Sequence, residues 1–173
     1  MRIAVDAMGG DHAPEEIITG ALLASERIDA RISLVGDPDA IAAGLTEDAD
    51  GQQIDIVPAA DVIAMDESPR STLRGRDDTS IARAVDLVRT GEAQAVVSAG
   101  NSGAFMAHSA IRLGTIPGVK RPAIAVTMPN EKGHRVLLDA GANADCKPEH
   151  LVDFGLMGAV YAEYTLGIDN PRV

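Results

Sequence analysis

Short apolar runs alternate with amphipathic segments along the first two thirds of the chain, a pattern that predicts strands separated by helices. The apolar runs predict four strands, at residues 3–5, 32–35, 54–57 and 95–98. Helices are predicted to begin at Pro14, Pro38 and about Ser102, because proline and small polar residues open helices. A further helix is predicted over residues 81–88, where apolar positions recur at i, i+3, i+4 and i+7, and Gly91 ends it.

The remaining segment carries a different pattern. Residues 123–128 and 135–138 are rich in apolar positions and flank the turn sequence PNEKG, which predicts a β-hairpin with Gly133 in its turn. A last helix is predicted from Pro148 to about Leu166. This order of elements predicts an α/β fold, in which a doubly wound, mostly parallel, Rossmann-like sheet carries an appended β-hairpin, within a single domain of residues 1–173.

Composition agrees with a helix-covered sheet and narrows the function. The chain is 46% apolar and 2% aromatic with no Trp, so the core must be aliphatic and no stacking platform for nucleic acid is expected. Cys146 is the single cysteine, which excludes an internal disulfide. Asp6 interrupts the first apolar run, and no run approaches the roughly 18 residues of a membrane span. We therefore expect a cytoplasmic protein without a signal peptide.

Charge is distributed unevenly along the chain. The net charge of -11 disfavours a nucleic-acid partner. Residues 68–122 nevertheless carry eight basic against four acidic side chains, a net of +4, while the rest carries seven against 22, a net of -15. This basic segment is either a solvated, arginine-rich face or a docking face for an anionic substrate or an acidic carrier.

Three polar, glycine-rich loops follow predicted strands. They read VDAMGGDHAP at residues 5–14, SAGNSG at residues 98–103 and DAGANADC at residues 139–146. Sites in doubly wound folds lie beyond the carboxyl ends of the strands. We therefore expect the three loops to form one cleft.

SAGNSG is the loop best suited to phosphate. Gly100 and Gly103 would let the backbone approach an anion, and the start of a helix offers unpaired N–H groups at the positive end of its dipole. Asn101 and Ser102 would add side-chain donors. The same small residues also suit a tight turn with close helix packing, and no Walker A lysine follows them.

The first loop allows two interpretations. In one, Asp6 bonds neighbouring backbone amides while Asp11 or His12 caps the following helix. Alternatively, a carboxylate beside His12 takes a proton from phosphate or orients it, although Asp6 and Asp11 would repel a dianion unless a cation or a basic residue intervened. The G-x-G-x-x-G fingerprint is absent, so binding of an NAD-type dinucleotide is the weaker alternative.

The third loop predicts no metal site. Asp139, Asn143 and Asp145 are spaced unlike a calcium loop at Gly141. Cys146 is a candidate acyl-accepting nucleophile, but a lone cysteine is more often a small buried hydrophobe. His108, within the helix after SAGNSG, is interpreted as a packed or surface histidine.

Five motifs in order resemble the bacterial phosphate acyltransferase family of the PlsX type. They are IAVDAMGGDHAP, VVSAGNSGAFMA, RPAIAVTMP, LLDAGANADC and GIDNPRV. Ser102 stands where many relatives have Thr, which keeps the hydroxyl, and RSTLRGRDDTS matches loosely. The resemblance covers the whole chain but only the N-terminal part of the longer family architecture. It implies a fold similar to those of isocitrate and isopropylmalate dehydrogenases and phosphotransacetylases.

The resemblance also implies a function. The family transfers a fatty acyl group from acyl carrier protein to inorganic phosphate, giving acyl phosphate for phospholipid synthesis, with no cofactor and no metal. A homodimer with peripheral association to membrane acyltransferase machinery is implied as well. The alternative is that this chain is an inactive module that keeps only phosphate or partner binding.

Site residues are assigned on the same basis. Phosphate is assigned to Ser98, Gly100, Asn101, Ser102 and Gly103. Catalytic or positioning roles, including lining of the cleft, are assigned to Asp6, Asp11, His12, Asn143 and Asp145. Docking of the acidic carrier is assigned to Arg70, Arg74 and Arg76.

Overall fold

The computed structural model describes residues 1–45, 53–131 and 133–173. The chain forms two compact units, Met1–Gly114 and Thr115–Val173. Each unit has its own secondary structure. The assignment of residues 1–173 to one domain stays a prediction.

The first unit contains a four-stranded parallel sheet. Its strands lie in the order β3-β2-β1-β4, and every neighbouring pair is parallel. This arrangement confirms the predicted doubly wound fold. Its elements in chain order are β1 (Arg2–Asp6), α1 (Glu15–Ser25), β2 (Arg31–Gly36), α2 (Pro38–Gly44), β3 (Ile54–Pro58), a 3₁₀ turn (Ser71–Leu73), α3 (Ser80–Arg89), β4 (Ala95–Val97) and α4 (Ser102–Leu113).

Helices cover both faces of this sheet. On β2, Leu34 packs in a core cluster with Ile18 of α1 and Ile41 of α2, all of them buried. The next residue, Val35, packs in a second cluster with residues of α3 that include Ala84. Side chains alternate between the two faces of a strand, so one strand carries both cores.

Helix α1 begins one residue later than predicted. Pro14 precedes its first residue and takes the N-cap position, where no side chain caps the helix. The interpretation in which Asp11 or His12 caps α1 is therefore wrong. By contrast, Asp37 caps α2 by accepting from the N–H groups of Asp39 and Ala40.

The second unit is a hairpin followed by a helix, as predicted. Strands β5 (Ala125–Asn130) and β6 (Gly133–Leu138) pair antiparallel. Gly133, the first residue of β6, pairs with Asn130 and has φ +122°, a conformation that favours glycine. Helix α5 (Pro148–Leu166) ends at Gly167, which is left-handed. No helix within the described parts of the chain is long and apolar enough to cross a membrane.

Candidate functional site

Two of the predicted loops meet at the carboxyl edge of the parallel sheet. Strands β1 and β4 are neighbours, with Val5 opposite Val97, so the loops that follow them leave the sheet side by side. Gly9 and Gly100 bring the two loops into backbone contact. A Cβ atom added at Gly9 would lie 2.9 Å from both the Cα and the N of Gly100. Glycine at these positions therefore allows the two loops to touch.

Asp6 ties these loops together. It is the last residue of β1 and only 1% exposed. Its Oδ2 accepts a hydrogen bond from the Ser98 hydroxyl at 2.7 Å, and its Oδ1 accepts from the Met8 N–H at 3.2 Å. Ser98 Oγ in turn accepts from the Gly100 N–H at 3.0 Å. The interpretation in which Asp6 bonds a neighbouring backbone amide is thus confirmed, and its carboxylate positions both loops.

The side chain of Asn101 is hydrogen-bonded within the protein. Its side chain is 8% exposed, and its Oδ1 caps α4 by accepting from the Ala104 N–H at 3.0 Å. Its Nδ2 donates to three carbonyl oxygens of the preceding loop, those of Ala64 at 3.3 Å, Met65 at 3.1 Å and Glu67 at 2.9 Å. The amide is therefore committed to the protein, and only the backbone of Asn101 is left to bind phosphate.

The start of α4 presents free backbone donors. Within the described residues, no hydrogen bond satisfies the N–H groups of Asn101, Ser102 and Gly103. Ser102 is exposed, so this helix end faces solvent. Unpaired N–H groups at the positive end of a helix dipole attract anions. This geometry is compatible with a phosphate site, and the assignment of phosphate to this loop stays a prediction.

Gly103 makes room for another part of the protein. A Cβ atom at Gly103 would lie 2.6 Å from Cγ of Pro69, which belongs to the loop before α3. This contact supports the interpretation in which the small residue serves close packing, and the phosphate-binding role of Gly103 stays a prediction. Gly100 and Gly9, which touch each other, are the glycines that shape the loop backbone.

Asp11 and His12 are both exposed. In the part of the chain that the structure describes, neither side chain forms a hydrogen bond or an ion pair. Both side chains are accessible to solvent or to a ligand. Their assigned catalytic role stays a prediction.

The segment of residues 59–76, here called the arginine loop, contains the three arginines assigned to docking. Arg76 is occupied within the protein: its Nε lies 2.7 Å from Asp61 Oδ2, it also pairs with Glu67, and it donates to the Val62 carbonyl at 2.7 Å. Arg76 thus braces the loop. Arg70 and Arg74 are exposed, with no ion pair to any described residue.

The pairing of Arg76 with Asp61 shifts the pKa of the Asp61 carboxyl group. The hydrogen bond from Arg76 is the main cause that holds the pKa of Asp61 below its usual value. A carboxyl group whose pKa is lowered by folding contributes stability above its unfolded pKa, and this contribution is lost as the pH falls through the folded value. The Asp61–Arg76 pair therefore favours the folded loop at neutral pH and ceases to do so in acid.

Elsewhere in the basic segment, charge is largely neutralised by intramolecular pairs. Arg112 lies 2.7 Å from Asp77 and also pairs with Asp86. His108 is 2% exposed, and its Nε2 lies 3.1 Å from the Thr72 carbonyl oxygen. Burial is the main cause that lowers the pKa of His108. The interpretation of His108 as a packed histidine is confirmed.

The third loop belongs to the second unit and is held by its own hydrogen bonds. Asp139 Oδ2 accepts from the Asn143 N–H at 2.6 Å, and its Oδ1 accepts from the Ile124 N–H at 2.8 Å. The Asn143 amide donates to the Pro122 carbonyl at 2.9 Å. Asp145 and Cys146 are exposed. The roles assigned to Asn143 and Asp145 stay predictions.

Comparison with known proteins identifies the family. A model described as "Fatty acid synthesis protein" matches residues 1–173. The chain belongs to this family. A phosphate acyltransferase of Heliobacterium modesticaldum is 54% identical over 175 residues, and one of Pelotomaculum thermopropionicum is 54% identical over 173 residues. A phosphate acyltransferase of Nostoc sp. is 47% identical over 175 residues. These findings confirm the resemblance seen in the motifs.

The chain spans about half the length of these curated relatives. All of it is matched in each of the three, but it covers only 52%, 51% and 51% of them, respectively. The conserved activity of a whole family member is therefore a proposal for this chain.

Sequence reasoning missed the structural roles of two residues, one in each unit. Asp139 was noted only for its carboxylate, yet it organises its loop much as Asp6 organises the first one. Its position directly after β6 was the available signal. Pro69, which packs on Gly103, carried no signal, because nothing in its local sequence indicates a contact 34 residues away.

Proposed function

We propose that this chain supplies the phosphate site of a phosphate acyltransferase that moves a fatty acyl group from acyl carrier protein to inorganic phosphate. The observation that carries the proposal is the set of free N–H groups of residues 101–103 at the start of α4. Family membership and the printed names of the relatives support the acyl transfer. The product would be an acyl phosphate for phospholipid synthesis.

The proposed reaction is a direct transfer. A phosphate oxygen held at the start of α4 attacks the thioester carbonyl, a C–O bond forms, and the C–S bond breaks. The carrier thiolate leaves and takes the proton that hydrogen phosphate loses. Orientation and stabilisation of charge are sufficient for such a step, so no covalent enzyme intermediate is needed.

The roles of the side chains follow from their surroundings. Asp6 acts through Ser98 to hold the two glycine loops in contact. Asp11 and His12, which are exposed, are proposed to carry this proton from hydrogen phosphate to the leaving thiolate. Asn143 and Asp145 keep their proposed roles in positioning substrate.

Carrier docking is proposed for the exposed arginines of the arginine loop. Arg70 and Arg74 form no ion pair with any described residue, whereas Arg76 pairs with Asp61 and Glu67. An acidic carrier would be steered by such charge. Homodimer formation, a cytoplasmic location and peripheral association with membrane acyltransferases are proposed from the family resemblance.

The function is tested by measuring acyl phosphate formation. Purified chain is incubated with acyl carrier thioester and phosphate, beside a full-length family member under the same conditions. We expect the full-length protein to form acyl phosphate and this chain to bind phosphate. Turnover by the chain alone would establish that this half is sufficient. Phosphate binding without turnover would support the alternative of a binding module, and absence of both would contradict the proposed site.

Cys146 provides the test of direct transfer. The residue is exposed, and its Sγ lies 3.7 Å from the Asn143 carbonyl oxygen. We expect Cys146→Ala in a full-length family protein to change kcat/KM by less than about threefold, because direct transfer does not use the thiol. A covalent route would instead lose several orders of magnitude in rate with its nucleophile. Mass spectrometry after incubation with acyl thioester alone is the second measurement. An acylated Cys146 that phosphate discharges would contradict direct transfer.

A further inference from the structure

The arginine loop is fastened to the start of α4. Asn101 Nδ2 donates to the carbonyl oxygens of residues 64, 65 and 67, and the ring of Pro69 packs against Gly103. These contacts, here called the latch, join the loop to the residues whose N–H groups bond no described residue. Since Arg70 follows Pro69, their Cα atoms are about 3.8 Å apart. The latch therefore brings the backbone of Arg70 to the proposed phosphate site.

Charge in the arginine loop is left unbalanced by its internal pairs. Arg76 pairs with Asp61 and Glu67. The other charged residues of the loop are Arg70, Arg74 and Asp66, two positive charges and one negative. All three of these remaining side chains are exposed, and none has an ion pair among the described residues. A guanidinium group forms strong, charge-assisted hydrogen bonds with phosphate. Arg70 is exposed, forms no ion pair with a described residue, and directly follows the proline that packs on Gly103.

We propose that Arg70 is a phosphate-binding residue and that Asn101 is the positioning residue that holds it at the start of α4. The inference rests on the proposed phosphate site and deepens it. In this role the arginine loop offsets the repulsion that Asp6 and Asp11 exert on a dianion. Binding of the anion and fastening of the arginine loop to α4 are then coupled, because each process favours the other.

The experiment measures binding of inorganic phosphate to the full 173-residue chain by calorimetry, in Hepes at low ionic strength. Arg70→Gln removes the charge, and Asn101→Ser removes the amide donor while keeping a neutral side chain that caps helices as well as Asn does. Arg31→Gln is the matched control. Arg31 is exposed at the amino end of β2, so this substitution removes the same charge at the opposite edge of the sheet.

We expect Arg70→Gln to weaken phosphate binding about tenfold, which is the scale of one hydrogen bond to a charged group. Arg31→Gln should change it less than about twofold, since distant exposed charges are screened. Asn101→Ser should weaken binding about as much as Arg70→Gln. The double variant should bind no more than about twofold more weakly than Asn101→Ser alone, because Arg70 is already displaced.

Limited digestion with trypsin tests the latch without phosphate. Asn101→Ser should be cleaved faster after Arg70 and Arg74 than the unaltered chain, while circular dichroism confirms that both are folded. An unchanged cleavage rate would overturn the role of Asn101. Multiplicative losses in the double variant would overturn it too.

The two proposals fail in distinguishable ways. If the unaltered chain binds phosphate and Arg70→Gln behaves like Arg31→Gln, the role of Arg70 is overturned and the phosphate site stands. If the unaltered chain binds no phosphate, the proposed site is overturned and the role of Arg70 falls with it.

Discussion

Replacing Gly9 with Ala is expected to lower the free energy of unfolding by about 3 kcal/mol, the upper part of the usual range for overpacking. The new methyl group would lie 2.3 Å from Asp6 Oδ2 and 2.9 Å from Gly100 N. A buried carboxylate and a backbone cannot rotate away as the end of a flexible side chain can. The loops must separate, and phosphate affinity should fall more than about tenfold with them. Chemical unfolding and calorimetry measure the two effects.

Gly20→Ala is the control for this change. Gly20 lies inside α1, and a Cβ atom there meets nothing within 4 Å. Alanine is favoured over glycine in a helix by about 0.5–1 kcal/mol, so this variant should be more stable. Phosphate binding should not change. If Gly9→Ala were as stable as the unaltered chain and bound phosphate equally well, the contact between the glycine loops would have no functional importance.

Replacing Asp6 with Ala is expected to reduce kcat/KM of a full-length family protein about 100-fold, the scale that a misplacement of about 1 Å can cause. The change leaves the Ser98 hydroxyl and the Met8 N–H without their buried acceptor. Such unsatisfied groups cost about 1–3 kcal/mol in unfolding free energy. Steady-state kinetics and urea unfolding measure both quantities.

Ser98→Ala and the double variant decide whether Asp6 acts through Ser98. If it does, the two single changes are strongly non-additive, and the double variant is about as slow as Asp6→Ala alone. Multiplied losses would instead assign Asp6 a role independent of Ser98. Asp6→Asn, which is nearly isosteric, should retain more stability than Asp6→Ala.

Local patterns predicted the elements of this fold well, because each was set by nearby residues. The run from Ile32 to Val35 formed a strand, and Pro148 opened a helix that reached Leu166 as predicted. Gly133 stands at the start of β6, directly after the predicted turn, with φ +122°. Hydrophobic periodicity and the conformational limits of proline and glycine act over a few residues, so a sequence can be interpreted for them directly.

The candidate site could be predicted only in part from the sequence, because its contacts join residues that are distant in the chain. The parallel fold places the ends of β1 and β4 together, so the meeting of the first two glycine loops could be foreseen from the strand order. The partners of single side chains could not. Sequence reasoning assigned the Asn101 amide to phosphate binding and Arg76 to docking of the carrier.

Sequence by itself therefore determined the strands, the helices and the polar loops at the strand ends, while the tertiary structure decided what each polar group does. Asn101 bonds carbonyl groups 34 to 37 residues earlier in the chain, and Arg76 bonds Asp61 at a separation of 15 residues. Buried polar groups must find hydrogen-bond partners wherever the packed chain brings them. That requirement acts through space, and for this reason it assigned the Asn101 amide to the arginine loop and left the N–H groups at the start of α4 without a partner among the described residues.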